Sequence, residues 1–174
     1  VSIAIPQTVF SLACPQALPG QIADLGSVQA GDIISRALET AAGANPGLFV
    51  VEGTSVGVQC KLPTSTGDVS GALLGVLCLE TMKMPRAGAP NYAQKDPVPV
   101  MRRGRVWVQT VADPASVAPD TTVFIVHSGA DAGKVGSTAG TGTVATAFPA
   151  AAGNAKIVKV DAAAGAALVE INMP

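Results

Sequence analysis

One run sets the terms for the rest of the chain: Pro97-Val98-Pro99-Val100-Met101-Arg102-Arg103-Gly104-Arg105-Val106-Trp107-Val108-Gln109-Thr110-Val111. Its prolines fix φ and push the residue ahead of each out of the α region, so no helix passes through its first half. Gly104 admits a bulge, a bend or the close approach of another backbone. From Arg105 the side chains alternate, with Arg105, Trp107, Gln109 and Val111 on one face and Val106, Val108 and Thr110 on the other. Val and Trp favour strands. The run predicts a strand of a β domain entered through a basic corner, with Gly104 and Trp107 as structural residues of it.

The remaining segments repeat a pattern of short strands and frequent turns, in keeping with 19 Gly and 13 Pro. Val1 to Leu12 alternates apolar with small or polar residues and is set apart by Pro15, Pro19 and Gly20. Either an extended arm over residues 1–19 or an ordinary first strand fits it. Gly20 to Asp24 reads as a turn into the body, with Asp24 as a structural turn residue. Asp32 to Thr40 fits a strand or a short helix. The β-branched Ile33 and Ile34 and the stop at residues 42–47 favour the strand. Leu48 to Val51 and Val56 to Leu62 are further strand candidates. Pro63 to Asp68 reads as a loop, with Gly67 and Asp68 as turn residues, and it lacks the Lys and Ser/Thr ending of a phosphate loop. Gly71 to Glu80 is almost continuously apolar, as a strand buried on both faces or a core segment under a long loop would be. Thr81 to Lys95 is an irregular excursion anchored by Tyr92, whose ring can be buried while its hydroxyl finds a partner. A strand follows at Thr121 to Val126, then hairpin and loop material over His127 to Ala147 with short Val-containing pieces around Val135 and Val144, and the last two strands at Ala155 to Val160 and at Ala167 to Ile171. The fold class expected is mainly β: one compact β-barrel or sandwich over residues 20–174, jelly-roll or tulip-like, with long loops.

Composition narrows the function. The net charge is -1 and only 13% of residues are charged, so the basic footprint of a general nucleic-acid binder is absent and association with other proteins is favoured. No apolar run approaches the ~20 residues of a spanning helix. The N-terminus lacks the positive region of a signal peptide, which points to synthesis in a cytoplasm. Cys14, Cys60 and Cys78 are too widely spaced for a paired metal motif or a disulfide framework and read as reduced, buried thiols. His127 is the only histidine, and neither Ser128 beside it nor Asp131 makes a triad; a turn-associated, partly exposed imidazole is expected. Catalytic, cofactor and metal residues are therefore all assigned as none. The cluster of Arg102, Arg103 and Arg105 has two readings. One sets their guanidinium groups against a protein partner, and the other leaves them at a solvated bend.

In order along the chain, Gly20-Gln21-Ile22-Ala23-Asp24, the Lys61-to-Asp68 loop, the Gly71-to-Leu79 strand, Pro97 to Val108 and Leu168-Val169-Glu170-Ile171-Asn172 resemble the tailed-phage structural cement, or capsid decoration, proteins. The resemblance implies a non-enzymatic clamp on the outer surface of an icosahedral virion, assembled in the host cytoplasm. Such a clamp bridges neighbouring major capsid subunits, stabilises the expanded shell and self-associates as a dimer or trimer, without cofactor, direct nucleic-acid contact or membrane. It also implies that Arg102, Gly104, Arg105 and Trp107 form a central structural segment. Two rivals stand beside it: a carbohydrate-binding β module stacking sugars on Trp107 and Tyr92, and a hydrolase-like β enzyme for which no base and nucleophile can be named.

Overall fold

A computed structural model describes residues 18–23, 32–80, 90–111, 117, 119, 123–136, 145–147 and 154–173. The mainly-β expectation holds. Five strands close a barrel: β1 (Ile33–Leu38), β2 (Phe49–Glu52), β3 (Gln59–Lys61), β4 (Leu73–Leu77) and β5 (Pro97–Met101). They are joined in the order β1-β3-β2-β4-β5. All neighbours are antiparallel except β1 and β3. The chain continues as β6 (Arg103–Gln109), β7 (Phe124–Val126), β8 (Val135–Gly136), β9 (Ala145–Ala147), β10 (Asn154–Asp161) and β11 (Ala166–Asn172). One three-stranded sheet has the order β10-β11-β6 and another β8-β7-β9.

Two apolar clusters explain the hydrophobic runs. Leu38, Val50, Cys60, Leu77, Tyr92, Val98 and Val100 fill one. Phe49, Val76 and Met101, the alternate residues of β2, β4 and β5, join the other with Val106 and Val108 of β6, Val169 and Ile171 of β11, and Ile125 and Val135. The central residues of these three strands are thus buried on both faces, and their sequences are correspondingly apolar apart from Glu52 at the end of β2.

Proline within β5 has a local solution. The β4–β5 register pairs Val76 with Met101 and Leu77 with Val100, so Cys78 comes opposite Pro99. The Cys78 amide donates to the Pro99 carbonyl at 2.9 Å, but Pro99 has no N–H to return. The Tyr92 hydroxyl takes that place, donating to the Cys78 carbonyl at 2.7 Å and accepting from the Glu80 amide at 3.1 Å. Tyr92 is fully buried, and its backbone exchanges two hydrogen bonds with Ala44. The anchor expected at the end of the excursion is therefore present.

Several expectations need correction. The loop over 63–68 gives way to a helix, α1 (Thr66–Ala72), so Gly67 and Asp68 lie in its first turn rather than in a loop. Ser65 is its N-cap: its hydroxyl accepts from the Asp68 amide at 3.2 Å, and the Asp68 carboxylate accepts from the Ser65 amide at 3.2 Å. That reciprocal capping box outweighs the turn propensity of the Ser-Thr-Gly composition. The strand expected over Val56 to Leu62 shortens to β3, because Val58 and Gln59 amides both donate to the Ser55 carbonyl and close a turn. Beyond a turn at Leu18 to Gly20, the chain does not simply enter the body. The Trp107 amide donates to the Gln21 carbonyl at 3.0 Å and the Ala23 amide to the Arg105 carbonyl at 2.9 Å, laying residues 20–23 along the edge of β6. The expected arm, apart from Leu18 and Pro19, and Asp24 lie outside the described residues.

Tyr92→Phe would leave the Cys78 carbonyl without a donor inside the protein. We expect about 1–3 kcal/mol of lost stability, read as a lower denaturation midpoint in urea at unchanged slope.

Candidate functional site

The basic corner is the point where one run of backbone leaves the barrel and enters a sheet. Met101 still pairs with Ile33 and Val76, whereas Arg103 already pairs with Asn172. Arg102 between them donates its amide to the Asp32 carbonyl at 2.6 Å and accepts from the Met173 amide at 2.9 Å. Its side chain is half-buried, with Nε inside and no hydrogen-bond partner. Gly104 takes φ of 121°, a conformation that side-chain-bearing residues rarely adopt. The chain can therefore twist between two exposed arginines while β6 keeps its register with β11.

Arg103 and Arg105 share the outer face of that sheet. Arg103 Nε donates to the Met173 carbonyl at 2.9 Å, and Arg105 Nε donates to Glu170 Oε2 at 2.8 Å. The pairing register places Lys156 of β10 on the far side of Glu170, so Lys156, Glu170 and Arg105 form one cross-strand row. Asp32, Arg103, Gly104, Arg105, Glu170, Ile171 and Asn172 line a depression of about 340 Å³. The Arg105–Glu170 pair is nearly half exposed on both sides, so it contributes only ~0–1 kcal/mol to stability. The arrangement presents planar donors and carboxylate oxygens on a stiff sheet, suited to directional contacts with protein carbonyls and carboxylates.

Trp107 follows Arg105 on the same face but is buried, packed with Ala166 and Leu168. Tyr92 belongs to a different cluster and is also buried. The two rings therefore offer no platform for stacking sugars. Gly67 and Asp68 belong to α1, whose carboxylate is structural. Burial pushes the Asp68 carboxyl up, but the Thr64 amide and hydroxyl, Lys61 and the Ser65 amide together hold it below the usual carboxylate range. The Thr64 amide and hydroxyl both donate to Asp68 Oδ2 at 2.8 Å.

His127 corrects the expectation of a partly exposed ring. It is buried, with Nε2 3.1 Å from the Thr66 hydroxyl and Nδ1 without a partner. Asp131 binds Lys134 at 2.7 Å instead of orienting the imidazole. Burial pushes the Cys60 and Cys78 thiols up to about 12, so both are protonated at neutral pH. Cys14 lies outside the described residues. Among the described residues, no three of His, Cys, Asp and Glu gather where they could hold a metal ion.

Comparison with known proteins adds a common thread. Residues 5–173 match the model of a family described as structural cement protein, with E217 gp24 and Pam3 gp6 as its named examples. A chain in the solved capsid of Myoviridae phage XM1 has the same fold, with a TM-score of 0.64, 18% identity, and 98% of each chain covered. No protein of curated function matches the sequence.

The Asp68 carboxyl generates a pH prediction. Its folded pKa lies below the unfolded value near ~3.9, so its contribution is present above that value and is lost as pH falls through the folded pKa. Asp68→Asn should cost about 1 kcal/mol at pH 7 and flatten the acid limb of stability below pH ~4, as read by urea unfolding across pH.

Proposed function

The chain belongs to the phage structural cement protein family, and from that membership we infer that it is a non-enzymatic decoration subunit of an icosahedral phage capsid. It binds the outer surface of the expanded shell, bridges neighbouring major capsid subunits and stiffens the lattice against the packaged genome. The observation that carries this reading is the family match over nearly the whole chain. The geometry supports it through what the fold does with its polar groups. His127, Tyr92 and Asp68 serve packing and capping, and the two described cysteines are buried.

The surface assigned to the partner is the outer face of β6 and β11, with Arg103 and Arg105 as direct donors and Arg102 as the half-buried joint that aims them. Repetition around the shell lets modest contacts of this kind sum to firm attachment. Self-association as a dimer or trimer belongs to the same reading, as does assembly in the host cytoplasm.

Heating decorated and undecorated shells side by side tests the stabilising role; equal rupture temperatures would count against it. Arg103→Ala and Arg105→Ala should unfold within ~1 kcal/mol of wild type. Each should bind undecorated expanded shells more weakly by ~2 kcal/mol or more in a cosedimentation titration. Wild-type affinity in both variants would remove this face from the interface.

A further inference from the structure

The β2–β3 hairpin, away from the site above, carries the most exposed large apolar residues among the described residues. Val56 and Val58 are 78% and 62% exposed, against 48% for Leu18, the other large hydrophobic left open among the described residues. A floppy loop with such residues would be unremarkable, but this one is tied at every turn. Glu39, just past the end of β1, accepts from the Thr54 amide and from the Thr54 hydroxyl, both at 2.6 Å. Glu52 accepts from the Gly57 amide at 3.1 Å, and Gln59 from the Ser55 amide at 3.2 Å. The Ser55 carbonyl accepts from Val58 and Gln59, and the Val58 carbonyl accepts from Ala37 of β1 at 2.9 Å. Gly53 lies so close to this lattice that an added Cβ would stand 2.5 Å from Glu39 Oε2. The Thr54 hydroxyl and amide also hold the Glu39 carboxyl below its ordinary range, so the clamp is ionised at neutral pH.

Both carboxylates at the base of the tip are thus occupied within the protein, and what faces outward is two valines on a rigid support. Holding an apolar contact in its bound shape beforehand removes much of the ordering cost of association. We propose that the Gly53–Val58 tip is an apolar peg that seats in a hydrophobic depression on the outer face of a major capsid subunit. This rests on the decoration role inferred above and adds a second contact to it, separate from the arginine face. Area decides between the coat and a second copy of this chain. A stable pair in solution needs roughly 800 Å² buried per partner, and a six-residue tip falls well short of that. A lattice that repeats the same depression, on a molecule already held by other contacts, suits so small a peg.

The test uses the full chain and undecorated expanded shells. Val56→Asp with Val58→Asp, and the near-isosteric Val56→Thr with Val58→Thr as a milder pair, should fold with wild-type circular dichroism and melting temperature. Cosedimentation should show the Asp pair binding about tenfold more weakly or worse, the Thr pair falling between it and wild type. Sedimentation velocity should show all three proteins in the same association state. Wild-type affinity in both variants overturns the peg while leaving the decoration role intact. Loss of self-association with shell binding unchanged also overturns it, in favour of a second copy. Failure of the wild-type protein itself to bind shells overturns the decoration role and the peg together.

Discussion

The passage of one backbone from barrel to sheet at Arg102 is the constraint on which the rest of the structure depends. There is no linker there: Met101 is paired within the barrel and Arg103 within the β10-β11-β6 sheet. The single residue between them is held on both sides, by Asp32 and by Met173. Because β5 runs straight into β6, the inner valines of β6 are pressed against the outward residues of β2, β4 and β5, and the second cluster closes around them. The orientation of Arg103 and Arg105 relative to the barrel is then set by packing rather than by a hinge.

That rigidity fits the bridging role proposed above, in which one subunit touches several neighbours at once. A chain that spreads modest contacts over a lattice loses less on binding when those contacts do not have to be ordered first. The two proposed faces meet that condition by different physics. The arginine face is polar and depends on a stiff sheet to keep its donors in line. The hairpin tip is apolar and depends on carboxylates and carbonyls that fasten its backbone to β1.

Much of this was legible in the residues. The alternation from Arg105 onward groups Val106 and Val108 on one face, which is buried, and the nearly unbroken apolar run at Gly71 to Glu80 fits the burial of Leu74 to Cys78, although Gly71 and Ala72 end α1 instead of starting the strand. The entry prolines predict the extended backbone of β5, although nothing in the pattern shows that a tyrosine from the preceding excursion would replace the missing Pro99 donor. Ser65 and Asp68 form a capping box, but the Ser, Thr and Gly around them speak for a loop. Helix formation there is settled by Val69 being buried against the core, a tertiary fact. His127 is similar. As a residue beside Ser and Gly it looks like a surface turn, and only the approach of Thr66, distant in sequence, makes a buried site for its ring.

The hairpin tip shows most sharply where local pattern stops deciding. Val56-Gly57-Val58 has the composition and alternation of a strand, and by propensity alone it extends β3 by three residues. What cancels that extension is a set of acceptors supplied from elsewhere. Glu39, just past the end of β1, takes the Thr54 amide, while Glu52 and Ser55 take the Gly57 and Val58 amides that a longer ladder would need. Once those amides are spent inside the turn, the valines cannot enter the barrel wall and are left pointing outward. In the proposed role, a repeated apolar depression on the shell is the surface that takes up such a small, prearranged peg.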